Sequence, residues 1–113
     1  MPKSDRIPRI LVVEDSRIQA LWIQRELERE GFEVEMTSNA KDALKQVAKF
    51  PPDLILSDIR MPEMSGIELC RTIKADSKTQ FIPLVLMTVL DDGDSKIDGI
   101  EAGADDFLQK PVN

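Results

Sequence analysis

With 113 residues the chain is about one domain, large enough for a single hydrophobic core, and 42% hydrophobic with 32% charged residues excludes a disordered segment. A net charge of −6 argues against direct nucleic-acid binding by this domain, because phosphate contacts need clustered Lys and Arg. The absence of histidine excludes Ser-His-Asp and Cys-His catalysis, His-ligated zinc and a phosphohistidine-carrier role, which leaves chemistry done by carboxylates, hydroxyls and lysine.

No apolar run approaches the roughly 20 residues of a membrane span, and "MPKSDRIPRI" lacks a signal-peptide core. The expectation is a cytoplasmic protein with no membrane contact. The single cysteine, Cys70, stands at helical spacing beside Ile67 and Ile73 and reads as a small core residue.

In chain order, "RILVVED" is an aliphatic run bounded by charges, the pattern of a strand buried on both faces. "SRIQALWIQRELEREGF" reads as a helix: Ser16 caps it, Gln19 closes the capping box, Gly31 ends it, and Ile18, Leu21, Trp22, Ile23 and Leu27 form a broad apolar face. "EVEMT" alternates polar and apolar residues, as a half-exposed edge strand does. "NAKDALKQVAKF" carries Ala40, Ala43, Leu44 and Val47 at helical spacing behind an Asn39 cap, and "PPD" breaks the chain after it. "LILSD" is the third strand and "GIELCRTIKA" the third helix. "IPLVLMT" is the fourth strand, with Pro83 near its start, where a missing donor is tolerated. "DDGDSKIDGIEAG" is a weaker helix, since Gly99 inside it costs about 1 kcal/mol relative to Ala. "DDFLQK" is the fifth strand. Strands alternating with helices predict an α/β fold with a parallel sheet and helices on both faces.

In such a sheet the C-terminal strand ends share one edge, where ligands bind. Glu14 and Asp15 follow the first strand, Asp58 ends the third, Thr88 the fourth and Lys110 the fifth. Each has a bland reading alone: an acidic pair at a helix start, a loop hydroxyl, a solvated lysine. Their convergence has a chemical sense. Carboxylates packed together repel, by about 4 kcal/mol per pair 4 Å apart in an intermediate dielectric, and a hard divalent cation, Mg²⁺ or Mn²⁺, relieves that conflict. The metal can then hold a phosphoryl group against a carboxylate nucleophile, Asp58, with Lys110 and Thr88 stabilising its charge.

"VVEDS", "LILSDIRMPEMSG", "LVLMT" and "GADDFLQKP" together resemble the receiver domain of two-component response regulators, a likeness running from Ile10 to Pro111. The resemblance implies a flavodoxin-like, doubly wound five-stranded parallel sheet of order 2-1-3-4-5, with residues 1–113 forming a single receiver domain. It implies that Asp58 accepts a phosphoryl group from a sensor histidine kinase or histidine phosphotransfer protein. Asp15, Asp58 and the Arg60 carbonyl would be Mg²⁺ ligands, with Mn²⁺ as the alternative ion and Glu14 acting through a water ligand. Thr88 and Lys110 would contact the phosphoryl group, Thr88 and Phe107 would form the switch, and the Lys110–Pro111 peptide would be cis. Phe107 also reads as ordinary strand filling. On this reading the domain catalyses its own phosphorylation and dephosphorylation and is otherwise no enzyme.

Three rivals are weaker. A haloacid dehalogenase-type enzyme needs an acid/base Asp two positions after its nucleophile, where this chain has Arg60. A receiver that binds partners without phosphorylation would have no need of all five polar groups. A flavin-binding protein of this topology needs a phosphate cradle that "EDSRIQ" lacks. Receivers also follow Lys-Pro with a fifth helix. Here "PVN" leaves no residues for it, so the expectation is a domain truncated after the fifth strand that buries the bare sheet face by forming a homodimer.

Overall fold

The computed structural model describes residues 6–89 and 93–110. Its elements are β1 (Arg9–Val13), α1 (Arg17–Arg29), β2 (Glu33–Thr37), α2 (Ala40–Lys49), β3 (Leu54–Asp58), α3 (Gly66–Ala75), β4 (Leu84–Thr88), α4 (Gly93–Ala102) and β5 (Asp106–Gln109). The five strands form one sheet in the order β2-β1-β3-β4-β5, and every neighbouring pair is parallel. This is the flavodoxin-like order that the resemblance implied. The Lys110–Pro111 peptide lies outside the described residues.

Alternation along the strands splits the interior in two. Leu11, Val13, Ile55, Leu84 and Leu86 point to one side, against Ala43 and Val47 of α2, Leu69 and Ile73 of α3 and Ala102 of α4. Ile10, Val12, Leu56 and Met87 point to the other, against Ile23 and Leu27 of α1. Burying each such Leu or Ile contributes about 1.5–3 kcal/mol, and β1, β3 and β4 carry most of them because they are flanked on both edges. Of the edge strands, β2 is mostly half-buried, with Val34 and Met36 packed on the core, and β5 is largely exposed.

Two features of α1 differ from the sequence reading. Ile23 is buried and Leu27 partly so, but Ile18 is 82% exposed and Leu21 and Trp22 are about half exposed. Among the described residues, α1 is the only helix that joins its core, so the flanks of its apolar stripe have no neighbouring helix to pack on. Leu108 on β5 is likewise half exposed. The second difference is at the cap. The Ser16 hydroxyl accepts the Gln19 N–H at 3.4 Å, but the reciprocal half of the capping box is missing, because the Ser16 N–H donates to Glu14 Oε2 at 2.9 Å instead. The full box occurs at α3, where Ser65 and Glu68 satisfy each other's backbone N–H groups. That box satisfies two donors that helix geometry leaves orphaned.

At the opposite end of the sheet Arg9 is buried, an unusual place for a guanidinium without partners. Its partners are present. Nη1 and Nη2 donate to the Pro51 and Phe50 carbonyls at 3.1 and 3.2 Å, Nη2 also pairs with Glu35 at 2.8 Å, and the guanidinium lies 3.5 Å from the centroid of the Phe50 ring. One side chain thereby closes the carbonyl end of α2 onto β1 and β2. The sequence reading gave Arg9 no role.

Candidate functional site

Parallel pairing brings the polar strand ends together. Val13 is level with Ser57 and Asp58 with Met87, so the residues that follow β1 stand beside the end of β3, and Thr88 and Lys110 follow on the next two strands. Glu14 extends the β1–β2 ladder by one step through its N–H to the Thr37 carbonyl at 3.0 Å, which buries its side chain completely. Asp58 is 6% and Thr88 3% exposed, while Asp15 is exposed. One carboxylate oxygen from each of Glu14, Asp15 and Asp58 lies within 4.8 Å of the others.

Lys110 neutralises part of this cluster. Its ammonium donates to Asp58 Oδ2 at 3.0 Å and stands 3.1 Å from Glu14 Oε1. The latter is an ion-pair distance without hydrogen-bond alignment, so this buried oxygen has no hydrogen-bond donor. Burial pushes the Glu14 carboxyl above its usual range, reinforced by the Asp58 charge and opposed by the Ser16 N–H and Lys110. For Lys110 burial disfavours the charge, yet the hydrogen bond to Asp58 and the negative charge of Asp58 and Glu14 prevail and raise its pKa. An acid held above its ordinary value and a buried oxygen with no donor describe a site short of positive charge.

The backbone around Asp58 depends on Gly66. A β-carbon there would lie 2.0 Å from the Asp58 carbonyl oxygen, while the Gly66 N–H closes residues 59–65 into a loop by donating to the Ile59 carbonyl at 2.8 Å. Only glycine lets the start of α3 come this close. Glu63, inside that loop, has φ 69°, a left-handed conformation that costs a non-glycine residue about 1–2 kcal/mol. Asp58, Ile59, Arg60, Met87, Val89 and Lys110 line a cavity of about 230 Å³ beside the Asp58 carboxylate.

All five strand-end residues singled out in the sequence therefore lie along one sheet edge. The structure joins Glu14, Asp15, Asp58 and Lys110 into one cluster, with Thr88 buried at the end of β4 and its carbonyl accepting the Lys110 N–H at 2.7 Å. Arg60 is exposed on the cavity rim. Phe107 lies apart, partly buried against the α2–α3–α4 side of the sheet. Cys70 is fully buried, with its thiol pushed up to about 11 by desolvation, which makes it an inert core residue. The sequence reading missed Gly66, although the glycine that closes "LILSDIRMPEMSG" was a visible signal for close backbone approach.

The sequence model of the response regulator receiver domain matches residues 10–113, and the chain belongs to that family. It is a family of signalling domains in two-component systems rather than of classical enzymes. Over 105 residues the chain is 42% identical to response regulator PleD of Caulobacter vibrioides, covering 93% of this chain and 23% of PleD. Chemotaxis response regulator CheY4 of Vibrio cholerae superposes with a TM-score of 0.88 at 30% identity, covering 96% of this chain and 90% of the other. The Mn²⁺-bound form of response regulator Rcp1 superposes with a TM-score of 0.85 at 26% identity, covering 94% and 83%. The chain thus spans about a quarter of the length of PleD. No helix among the described residues is long and apolar enough to cross a membrane.

Proposed function

We propose that Asp58 accepts a phosphoryl group from a sensor histidine kinase or a histidine phosphotransfer protein. The observation that carries this reading is a nearly buried carboxylate at the end of the central strand, hydrogen-bonded to Lys110 and opening onto a cavity. A carboxylate oxygen of Asp58 attacks phosphorus; the new P–O bond forms as the donor's P–N bond breaks, and the electron pair leaves on the imidazole nitrogen. On this reading Lys110 follows the charge from the carboxylate to the phosphoryl oxygens, and the Thr88 hydroxyl donates to one of them. Thr88 and Phe107 then act as the switch that changes partner contacts.

A divalent cation fits the cluster. Three carboxylates share a space with one lysine, and Glu14 Oε1 is buried without a donor. Asp15, Asp58 and the Arg60 carbonyl would hold Mg²⁺, or Mn²⁺ as in the Rcp1 structure, with Glu14 acting through a water ligand. When bound, the ion supplies positive charge to the transferring phosphoryl group. The reading also includes a homodimer formed through the face bearing the half-exposed Trp22 and Leu108, and a cytoplasmic location where the phosphodonor is found. Sedimentation that gives a strictly monomeric, well-folded species refutes the dimer.

Incubation with acetyl phosphate and Mg²⁺ tests the acceptor assignment. One phosphoryl group per chain is expected, removed by EDTA and by Asp58→Asn. Undiminished labelling of Asp58→Asn sinks it.

A further inference from the structure

Helix α4 sits on the sheet through two small residues. Gly99 and Ala102 are its buried positions, while Ile97 and Ile100 are 59% and 64% exposed. A β-carbon at Gly99 would stand 2.8 Å from Leu86 Cδ1 and 2.9 Å from both Cε1 and Cζ of Phe107, closer than packed carbon atoms approach. The Phe107 ring therefore fills the space that a side chain at position 99 would occupy. Leu86 and Phe107 are register partners on β4 and β5, two residues before Thr88 and three before Lys110. Gly93, in the same helix, has open space where its β-carbon would be.

A glycine inside a helix weakens it roughly fivefold relative to alanine, and α4 buries little apolar surface to compensate. Such an element belongs to the low-stability end of a fold, where conformational change is drawn from. The ring cannot shift toward the helix without lifting it, and cannot leave without emptying the seat beneath it. We propose that Gly99 is a positioning residue: its bare α-carbon is the notch that receives the Phe107 ring, so that ring and α4 move together and the outer face of α4, with Ile97 and Ile100, follows the state of Phe107. Its use in signalling rests on the phosphoryl-acceptor reading above, but the notch does not.

The test uses the unphosphorylated protein, following amide exchange along α4 and the ring signal of Phe107 in fluorophenylalanine-labelled samples. Helix propensity alone has Gly99→Ala raise α4 protection roughly fivefold. The notch gives the opposite sign: protection falls about tenfold, as overpacking does, and the Phe107 signal moves. Gly93→Ala leaves that signal in place. Phe107→Leu also loosens α4, and combining it with Gly99→Ala restores part of the lost protection, a non-additive result. Gly99→Ala that strengthens α4 with Phe107 unmoved overturns the proposal, as does additivity of the pair. If Gly99→Ala does not fold, Phe107→Leu decides, and unchanged α4 protection overturns it. Acetyl phosphate labelling of Asp58 on the same samples tests the acceptor reading separately, since its failure leaves the exchange result standing.

Discussion

Lys110→Ala removes the ammonium that lies 3.0 Å from Asp58 and 3.1 Å from Glu14, leaving both carboxylates without that partner. Removing one partner of a buried pair can cost about 3–5 kcal/mol, but protonation limits the penalty here. Neutralising a carboxyl of ordinary pKa 4.5 at pH 7 costs about 3 kcal/mol, which sets a ceiling on the loss. A loss of about 1–3 kcal/mol is therefore expected in metal-free buffer, or about 4–12 °C in Tm for a domain of this size. The sign with pH follows from Glu14. A carboxyl whose folded pKa is raised favours the fold most below its ordinary value and loses that advantage as pH rises through the folded one. The deficit of the variant should thus be small near pH 4.5 and full at neutral pH. It should persist up to the lysine's ordinary value of 10.5, because the raised pKa of Lys110 keeps it charged in the parent beyond that point. Urea denaturation in EDTA at pH 5 and pH 7 measures both. Mg²⁺ at a hundred times its dissociation constant adds about 2.7 kcal/mol to the parent and at the same concentration should add more to the variant, where the lysine ammonium no longer competes for the carboxylates. A deficit below about 0.5 kcal/mol at pH 7, or one larger at pH 5, refutes the reasoning.

Gly66→Ala should destabilise by about 3 kcal/mol or more and suppress labelling of Asp58, since the new β-carbon meets the Asp58 carbonyl; chemical denaturation beside an acetyl phosphate assay checks both, and a neutral variant removes the close-approach argument. Arg9→Leu should cost about 2–3 kcal/mol by leaving the Phe50 and Pro51 carbonyls and Glu35 without their donor, with labelling retained because Arg9 lies at the other end of the sheet; a stability unchanged in urea contradicts this. Val89 and Arg60 line the cavity over Asp58 and should crowd attacking water, giving slow autodephosphorylation. Val89→Ala should speed reaction with acetyl phosphate about fivefold, or roughly 1 kcal/mol of barrier, and an unchanged rate disposes of the steric argument.

Strand and helix order, the core of β1, β3 and β4, and the five polar strand ends were legible in the sequence because they rest on local periodicity and on one geometric rule, that parallel strands share an edge. Asp58 could be singled out because a charge ending an apolar run has few inexpensive explanations. Other features were decided by contacts between residues far apart in the chain. Glu14 takes the Ser16 N–H that the capping box needed, so the Ser16 cap forms but the reciprocal half of the box does not. Ile18 and Trp22 have helical spacing, but no neighbouring helix among the described residues buries them. Arg9 looked like a flanking charge until α2 ended against it, and Gly99 looked like a defect until Phe107 filled the space beside it. Periodicity reports which side chains face inward; which atom they meet there depends on how separate elements are stacked, and only the tertiary structure supplies that.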